Sequence, residues 1–291
     1  MTSIVVGVDG SEPSKEALRW AVAEATLHGE PVDAVMAWGH LDQHHVPATA
    51  RDFEPGYDEA DARDALAQYV ADVLGPEAAV DVRLRPTCDL PARALLDAGK
   101  DAAMLVVGAR GRGGFASLLL GSVSQKVLHH ATCPVAVIRG GQEPGPAHGD
   151  ARIVVGVDGS GNADAALRWA IAEARRRGAG VEVVHAWNMP LVTPYPYVAG
   201  ELDTTTSEKT AREILDQAVL RAMPTSEDRI TKVLSLSGPS SLLLETGKGA
   251  DLIVVGSRGL GAVKAAILGS VSHQVTLHAT SPVVVVPEGS T

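Results

Sequence analysis

Two stretches of this 291-residue chain have residue types and spacing suited to holding phosphate. Gly108-Ala109-Arg110-Gly111 is followed, nine residues on, by Gly121-Ser122-Val123-Ser124. Gly256-Ser257-Arg258-Gly259 is followed, again nine residues on, by Gly269-Ser270-Val271-Ser272. Glycine lets backbone N–H groups approach an anion with no Cβ in the way, and takes positive φ without strain. A Gly-Ser at the mouth of a helix adds a hydroxyl, first-turn N–H groups with no helical acceptor, and the positive end of the helix dipole. Ser122 and Ser124 suit capping as well as ligand binding, and the two roles are compatible. Arg110 and Arg258 either reach the phosphate or sit in solvent, and the spacing leaves both open.

Elements of a definite kind must hold these loops. Met104 to Val107 is an apolar run that reads as a buried strand, and Ser122 to His130 has helical spacing. Upstream, Ile4 to Val8 is a β-branched strand. Asp9-Gly10-Ser11 turns the chain, and Pro13 suits the first turn of a helix that stops near Gly29. Strands are expected at Pro31–Trp38, Ala79–Arg85 and Pro134–Arg139, and helices at Tyr57–Leu74 and Pro91–Ala98. The whole pattern then repeats. Ile4 to Ser11 recurs as Ile153 to Ser160, Ala17 to Ala21 as Ala166 to Ala170, and Ala37-Trp38 as Ala186-Trp187. In the second half strands are expected at Ile153–Val157, Val181–Trp187, Arg229–Ser235, Leu252–Val255 and Val283–Val286. Helices are expected at Asp164–Arg177, Ser207–Ala222, Ser240–Lys248 and Ser270–His278.

A period this long means two homologous domains, taken as residues 1–140 and 152–291 with a Gly/Pro-rich linker at 141–151. The alternation of strand and helix implies an α/β fold: two tandem doubly wound domains, each a five-stranded parallel sheet with helices on both faces. In such sheets ligands bind beyond the carboxyl ends of the strands, where the strand order reverses. If strands one and four are neighbours, Asp9 and the first glycine loop face one crevice, as do Asp158 and the second. Asp9 capping the next helix is the plainer alternative.

Composition narrows the partners. Apolar residues make up 45% and charged residues 21%, as in globular proteins, and a formal charge of −10 with 3% aromatic residues argues against nucleic acid. No apolar run is long enough for a bilayer and the first residues lack a secretory pattern, so a cytoplasmic location is expected. Cys88 and Cys133 read as buried small hydrophobes, and Trp20 and Trp169 as core. His40, His44 and His45 form a loop cluster for which metal binding is the lesser alternative, since the spacing is irregular and no cysteine is near. His129, His130 and His278 fall at the far end of the last helix of each half, where a structural role is expected. No catalytic or metal-binding set is assigned.

By these residues the chain resembles the universal stress protein family in its tandem form, over nearly its whole length. The Gly-x2-Gly-x9-Gly-Ser signature, present in both halves, is the mark of that family's ATP-binding branch. The resemblance implies that ATP is the ligand, with or without Mg2+. It implies that Asp9 and Asp158 contact the adenosine part, and that Ala37 and Ala186 offer backbone groups to adenine. Gly108, Gly111, Gly121, Ser122 and their counterparts would cradle ribose and phosphates. It further implies pairing, as a homodimer and between the two domains, with the valine-rich last strands as candidate edges, and a protein partner of unknown kind.

The function expected is that of a nucleotide-dependent binding protein, with a slow ATP hydrolase as the alternative enzyme reading and a pure scaffold as a third. Gly247-Lys248-Gly249 is not a Walker loop, no acidic pair of kinase type supports magnesium, and the first strand lacks a dinucleotide fingerprint. Asp251 stands where the first half has Ala103, a difference expected to affect packing rather than binding.

Overall fold

Short β-branched strands buried on both faces build the molecule, and their two faces feed two separate cores. The computed structural model describes residues 2–38, 58–75, 80–111, 119–139, 151–188, 204–260 and 268–289. In the first half these form β1 (Ile4–Gly7), α1 (Glu12–His28), β2 (Val32–Trp38), α2 (Glu59–Leu74), β3 (Val82–Cys88), α3 (Pro91–Ala98), β4 (Met104–Gly108), α4 (Ser122–His130) and β5 (Val135–Ile138). The second half repeats the order as β6 (Arg152–Gly156), α5 (Gly161–Arg177), β7 (Gly180–Trp187), α6 (Thr204–Arg221), β8 (Ile230–Leu236), α7 (Pro239–Thr246), β9 (Leu252–Gly256), α8 (Ser270–His278) and β10 (Val283–Val286). The expected linker and the His40–His45 group lie outside the described residues.

Successive strand side chains point to opposite faces. Ile4, Val6, Met104 and Val106 pack with Ala17, Leu18 and Ala21 of α1 and Leu66 of α2. Val5, Leu105 and Val107 pack on the other side with Ala94 and Leu95 of α3 and Val127 and Leu128 of α4. Burying a side chain such as Leu18 contributes about 2 kcal/mol. Trp20 is buried, and Trp169 is half-buried against the same core. Ser11 caps α1, accepting from the Ser14 N–H, and Gly29 ends the helix at φ 66°. Ser160 and Gly178 do the same for α5, which is why that helix begins at Gly161, ahead of the expected Asp164.

Each half is a parallel five-stranded sheet, in the order β3-β2-β1-β4-β5 and its copy, and the two join into one ten-stranded sheet. The seam is antiparallel: Val135 pairs with Val285, Ala136 with Val284 and Val137 with Val283. The last strands therefore pair with each other inside one chain. An antiparallel seam relates the halves by an approximate two-fold axis, and it sets α1 and α5 side by side over one continuous core.

Two expectations need correction. The third strand runs over Val82–Cys88, not Ala79–Arg85, because its register follows β2 from Val32–Val82 to Trp38–Cys88. Pro86 is accommodated because β3 is the outer strand of the sheet among the described residues. Cys88, at the end of that outer strand, is exposed; Cys133 is buried as expected. Asp251 acts in packing: its carboxylate accepts the Arg152 N–H at 2.6 Å and anchors the start of β6.

Candidate functional site

The crevice forms where neighbouring strands send the chain in opposite directions. β1 and β4 are adjacent and parallel, with Ile4 beside Met104 and Val6 beside Val106. β6 and β9 repeat this with Ile153 beside Leu252. The turn after the first strand and the glycine loop after the fourth thus meet at the carboxyl edge of the sheet in both halves, as the spacing predicts.

Asp9 and Asp158 tie these two turns together. Asp9 Oδ1 accepts from the Ser11 N–H at 3.0 Å and the Ser11 hydroxyl at 2.6 Å. Its Oδ2 lies so close to Gly111 that a Cβ there would collide with it. Asp158 Oδ1 accepts the Ser160 N–H at 3.0 Å, and its Oδ2 accepts the Leu260 N–H at 2.9 Å, again with Gly259 pressed against the carboxylate. Capping of the turn and contact with the glycine loop are both made by the same side chain.

The glycines of the loop serve different ends. A Cβ on Gly108 would lie 2.8 Å from the carbonyl carbon and oxygen of Pro13, and one on Gly256 would lie 2.9 Å from those of Asn162. Here the missing side chain admits the first turn of α1 or α5. Gly111 and Gly259 admit the aspartate. None of the six loop glycines takes positive φ; the positive-φ glycines of the crevice are Gly10 and Gly159, at 80° and 86°. Of the two freedoms expected of the loop glycines, the six described ones use the absence of Cβ and not positive φ.

Gly121 and Gly269 are the N-caps of α4 and α8. Their own N–H groups donate to Ala109 O at 2.8 Å and Ser257 O at 2.7 Å, which closes each loop. The first helical bonds run from Gln125 N to Gly121 O and from His273 N to Gly269 O. Among the described residues no side chain caps either helix, in contrast to α1 and α5. The first-turn N–H groups of Ser122, Val123 and Ser124, and of Ser270, Val271 and Ser272, lie at the positive ends of these helices. Ser124 and Ser272 are buried, and their hydroxyls donate to Gly108 O at 2.7 Å and Gly256 O at 2.5 Å. The exposed hydroxyls at each helix mouth are those of Ser122 and Ser270. Ala37 and Ala186 sit near the ends of β2 and β7, at the same edge.

The two arginines differ. Arg258 donates to Glu288 Oε2 at 2.7 Å. Arg110 stands near Arg139, whose pKa is lowered first by burial and then by the Arg110 charge. Arg139 in turn donates to Thr276 O and Leu277 O, at 2.7 and 2.6 Å, across the seam.

Three polar residues near the crevices escaped the sequence reading. Ser14 Oγ lies 2.6 Å from the Tyr69 hydroxyl and 3.4 Å from the Asp9 N–H. Burial raises the Tyr69 pKa, with the charges of Asp9 and Glu12 adding to it. In the second half Ala163 replaces Ser14. His185 is buried and its Nδ1 donates to Val157 O at 2.7 Å, next to Asp158. The available signal was the repeat itself, since Met36 holds that position in the first half. His129 and His130 lie in the last turn of α4, rings edge to face at 6.3 Å, at the opposite end of that helix from Ser122.

A sequence profile of the universal stress protein family matches residues 1–139 and again residues 151–287. A universal stress protein of Mycolicibacterium smegmatis is 36% identical, over 97% of this chain and 96% of its own length. One from Mycobacterium tuberculosis is 32% identical, over 99% of this chain and 97% of its own. Among solved structures, a universal stress protein from Archaeoglobus fulgidus aligns over 99% of this chain and 96% of its own with a TM-score of 0.66; at 22% identity this is a likeness of fold. No helix among the described residues is long and apolar enough to cross a membrane.

Proposed function

The chain belongs to the universal stress protein family, and on that footing we propose that it binds one ATP in each half and acts as a nucleotide-dependent regulatory protein in a stress response. The observation that carries this reading is the duplicated helix mouth. In both halves a helix with a glycine N-cap opens beside a loop whose glycines leave room for close approach, and the aspartate after the first strand packs against that loop. An anion at that point satisfies first-turn N–H groups and the helix dipole together.

The binding units are residues 1–140 and 152–291, joined through 141–151. Phosphate oxygens accept from the first-turn N–H groups at Ser122 and Val123, or Ser270 and Val271, with the Ser122 or Ser270 hydroxyl beside them. Asp9 and Asp158 contact the adenosine part; at Asp158 each carboxylate oxygen accepts one backbone N–H and has a second lone-pair direction for a ribose hydroxyl. Ala37 and Ala186, at the ends of the second strands, offer backbone groups to adenine. Mg2+ travels with the phosphates and needs no protein ligand in this reading. Pairing between chains uses a surface other than the last strands, because β5 and β10 already saturate each other.

The test is to denature the purified protein and count the released nucleotide by chromatography, then titrate the emptied chain with ATP. About two ATP per chain supports the reading. Release of ADP points to the slow hydrolase. No nucleotide released and none taken up on titration removes it.

A further inference from the structure

Across the seam, α1 and α5 bury a ring of four ionisable side chains in which two carboxyls share one permanent positive charge. Glu24 and His28 lie one turn apart on α1, and Glu173 and Arg177 hold the same two places on α5. The side chains of Glu24 and Glu173 are 2% and 0% exposed; those of His28 and Arg177 are 9% and 8%. Arg177 donates to one oxygen of each carboxylate, to Glu173 Oε1 at 2.8 Å and to Glu24 Oε1. The other two oxygens face His28, whose Nε2 is 2.9 Å from Glu173 Oε2 and 3.9 Å from Glu24 Oε2. Glu24 Oε2 is buried with no hydrogen-bond partner among the described residues. The remaining charged neighbour on the two helices, Arg176, reaches Glu173 Oε2 at 3.3 Å from a half-exposed position at the rim.

The approximate two-fold axis explains the gap. Arg177 bridges both carboxylates on one side of the ring, and His28 occupies its symmetry-related place with a shorter side chain and no permanent charge. Inside the ring, two ionised carboxylates and one guanidinium leave one negative charge, which Arg176 meets only from the exposed rim, an arrangement costly enough to favour a compensating cation.

We propose that the ring is a proton-binding joint: one proton taken up by the buried carboxylate pair, at Glu24, locks α1 to α5, and its loss above neutral pH loosens the seam between the halves. Burial pushes the Glu24 carboxyl up against the pull of Arg177, and Glu173 pushes it further. At Glu173 burial also pushes upward, but the His28 hydrogen bond and the Arg177 charge outweigh it and hold that carboxyl low. The two carboxyls are coupled, so the proton belongs to the pair rather than to one atom. The folded ring keeps this proton at pH values where the separated side chains have released theirs. The folded state therefore binds more protons, and stability falls as pH rises through neutrality. A divalent ion at Glu24, His28 and Glu173 is disfavoured, because with Arg177 in place it would carry the ring past neutrality to a net positive charge. α1 and α5 each run from a crevice at their first turn to the ring at their last, so the joint ties together two elements that also floor the candidate sites.

The experiment is a series of thermal melts of the full chain in EDTA from about pH 6 to about pH 8.5, for wild type, His28→Arg and Glu24→Gln. The wild-type Tm is expected to fall by about 3 °C or more across this range. Both variants are expected to flatten that slope by opposite chemistry, His28→Arg by supplying a permanent charge and Glu24→Gln by removing the need for one. Either variant alone suffices if the other does not fold. Slopes equal to wild type overturn the proposal. A stoichiometric rise in wild-type Tm on adding zinc chloride, absent in His28→Arg, also overturns it and assigns the ring to a metal.

Discussion

Asp158 Oδ2 accepts the backbone N–H of Leu260 at 2.9 Å, across 102 residues of chain, while its other oxygen accepts from Ser160. One carboxylate thus fastens the glycine loop to the start of α5. Asp158→Asn places an amide NH2 against an N–H donor on one side, whichever way it is turned. The expected loss of stability is about 1–3 kcal/mol, measured by urea unfolding, with weaker ATP binding at one of two sites in calorimetry. Unchanged unfolding would show that the carboxylate does not hold the loop.

The loop glycines separate into those that serve the fold and those that serve the mouth. Gly108→Ala drives a methyl into the Pro13 backbone and is expected to cost about 1–3 kcal/mol, since backbone cannot move aside as a side chain does. At Gly121 a Cβ meets nothing nearer than 3.5 Å, so Gly121→Ala should stay within about 0.5 kcal/mol of wild type. Equal melting curves for the two variants would contradict this division. Bulkier substitution at Gly121 is expected to empty the first site and leave the second filled.

In the proposed second site the loop arginine already has an anionic partner. Glu288 holds Arg258 at 2.7 Å, whereas the matching position in the first half is Gly140, and Arg110 has the cationic Arg139 for a neighbour. The pair is solvent-accessible, so its effect is modest. Glu288→Gln is expected to raise ATP affinity at the second site about two- to five-fold and leave the first unchanged. Two-site calorimetry at low salt reads this directly, and no change would place Arg258 outside the site.

The cysteines are expected to differ in reactivity despite similar sequence surroundings. Burial pushes the Cys133 thiol up to about 11, while Cys88 lies exposed at the end of β3. With iodoacetamide near pH 8, mass spectrometry should find Cys88 alkylated well before Cys133, because the thiolate is the reacting form. Comparable rates would mean that the β4–β5 core opens readily.

Much of the architecture was legible in the chain itself. The repeat, the β-branched strands, the capped α1 and α5 and the placement of both glycine loops after a strand are written in local spacing. Spacing alone predicts two crevices at strand ends, because a parallel α/β sheet allows few topologies. The order of contacts across the chain was not legible. That Ser124 latches Gly108, that Gly108 makes room for Pro13 and that Asp158 reaches Leu260 depend on segments brought together only by folding. The sequence offered β5 and β10 as pairing edges, but only the tertiary structure showed that they close on each other. That closure buries Glu24, His28, Glu173 and Arg177 together. Read on separate helices these are ordinary surface charges; exclusion of water at the seam is what turns them into a ring that has to balance its charge.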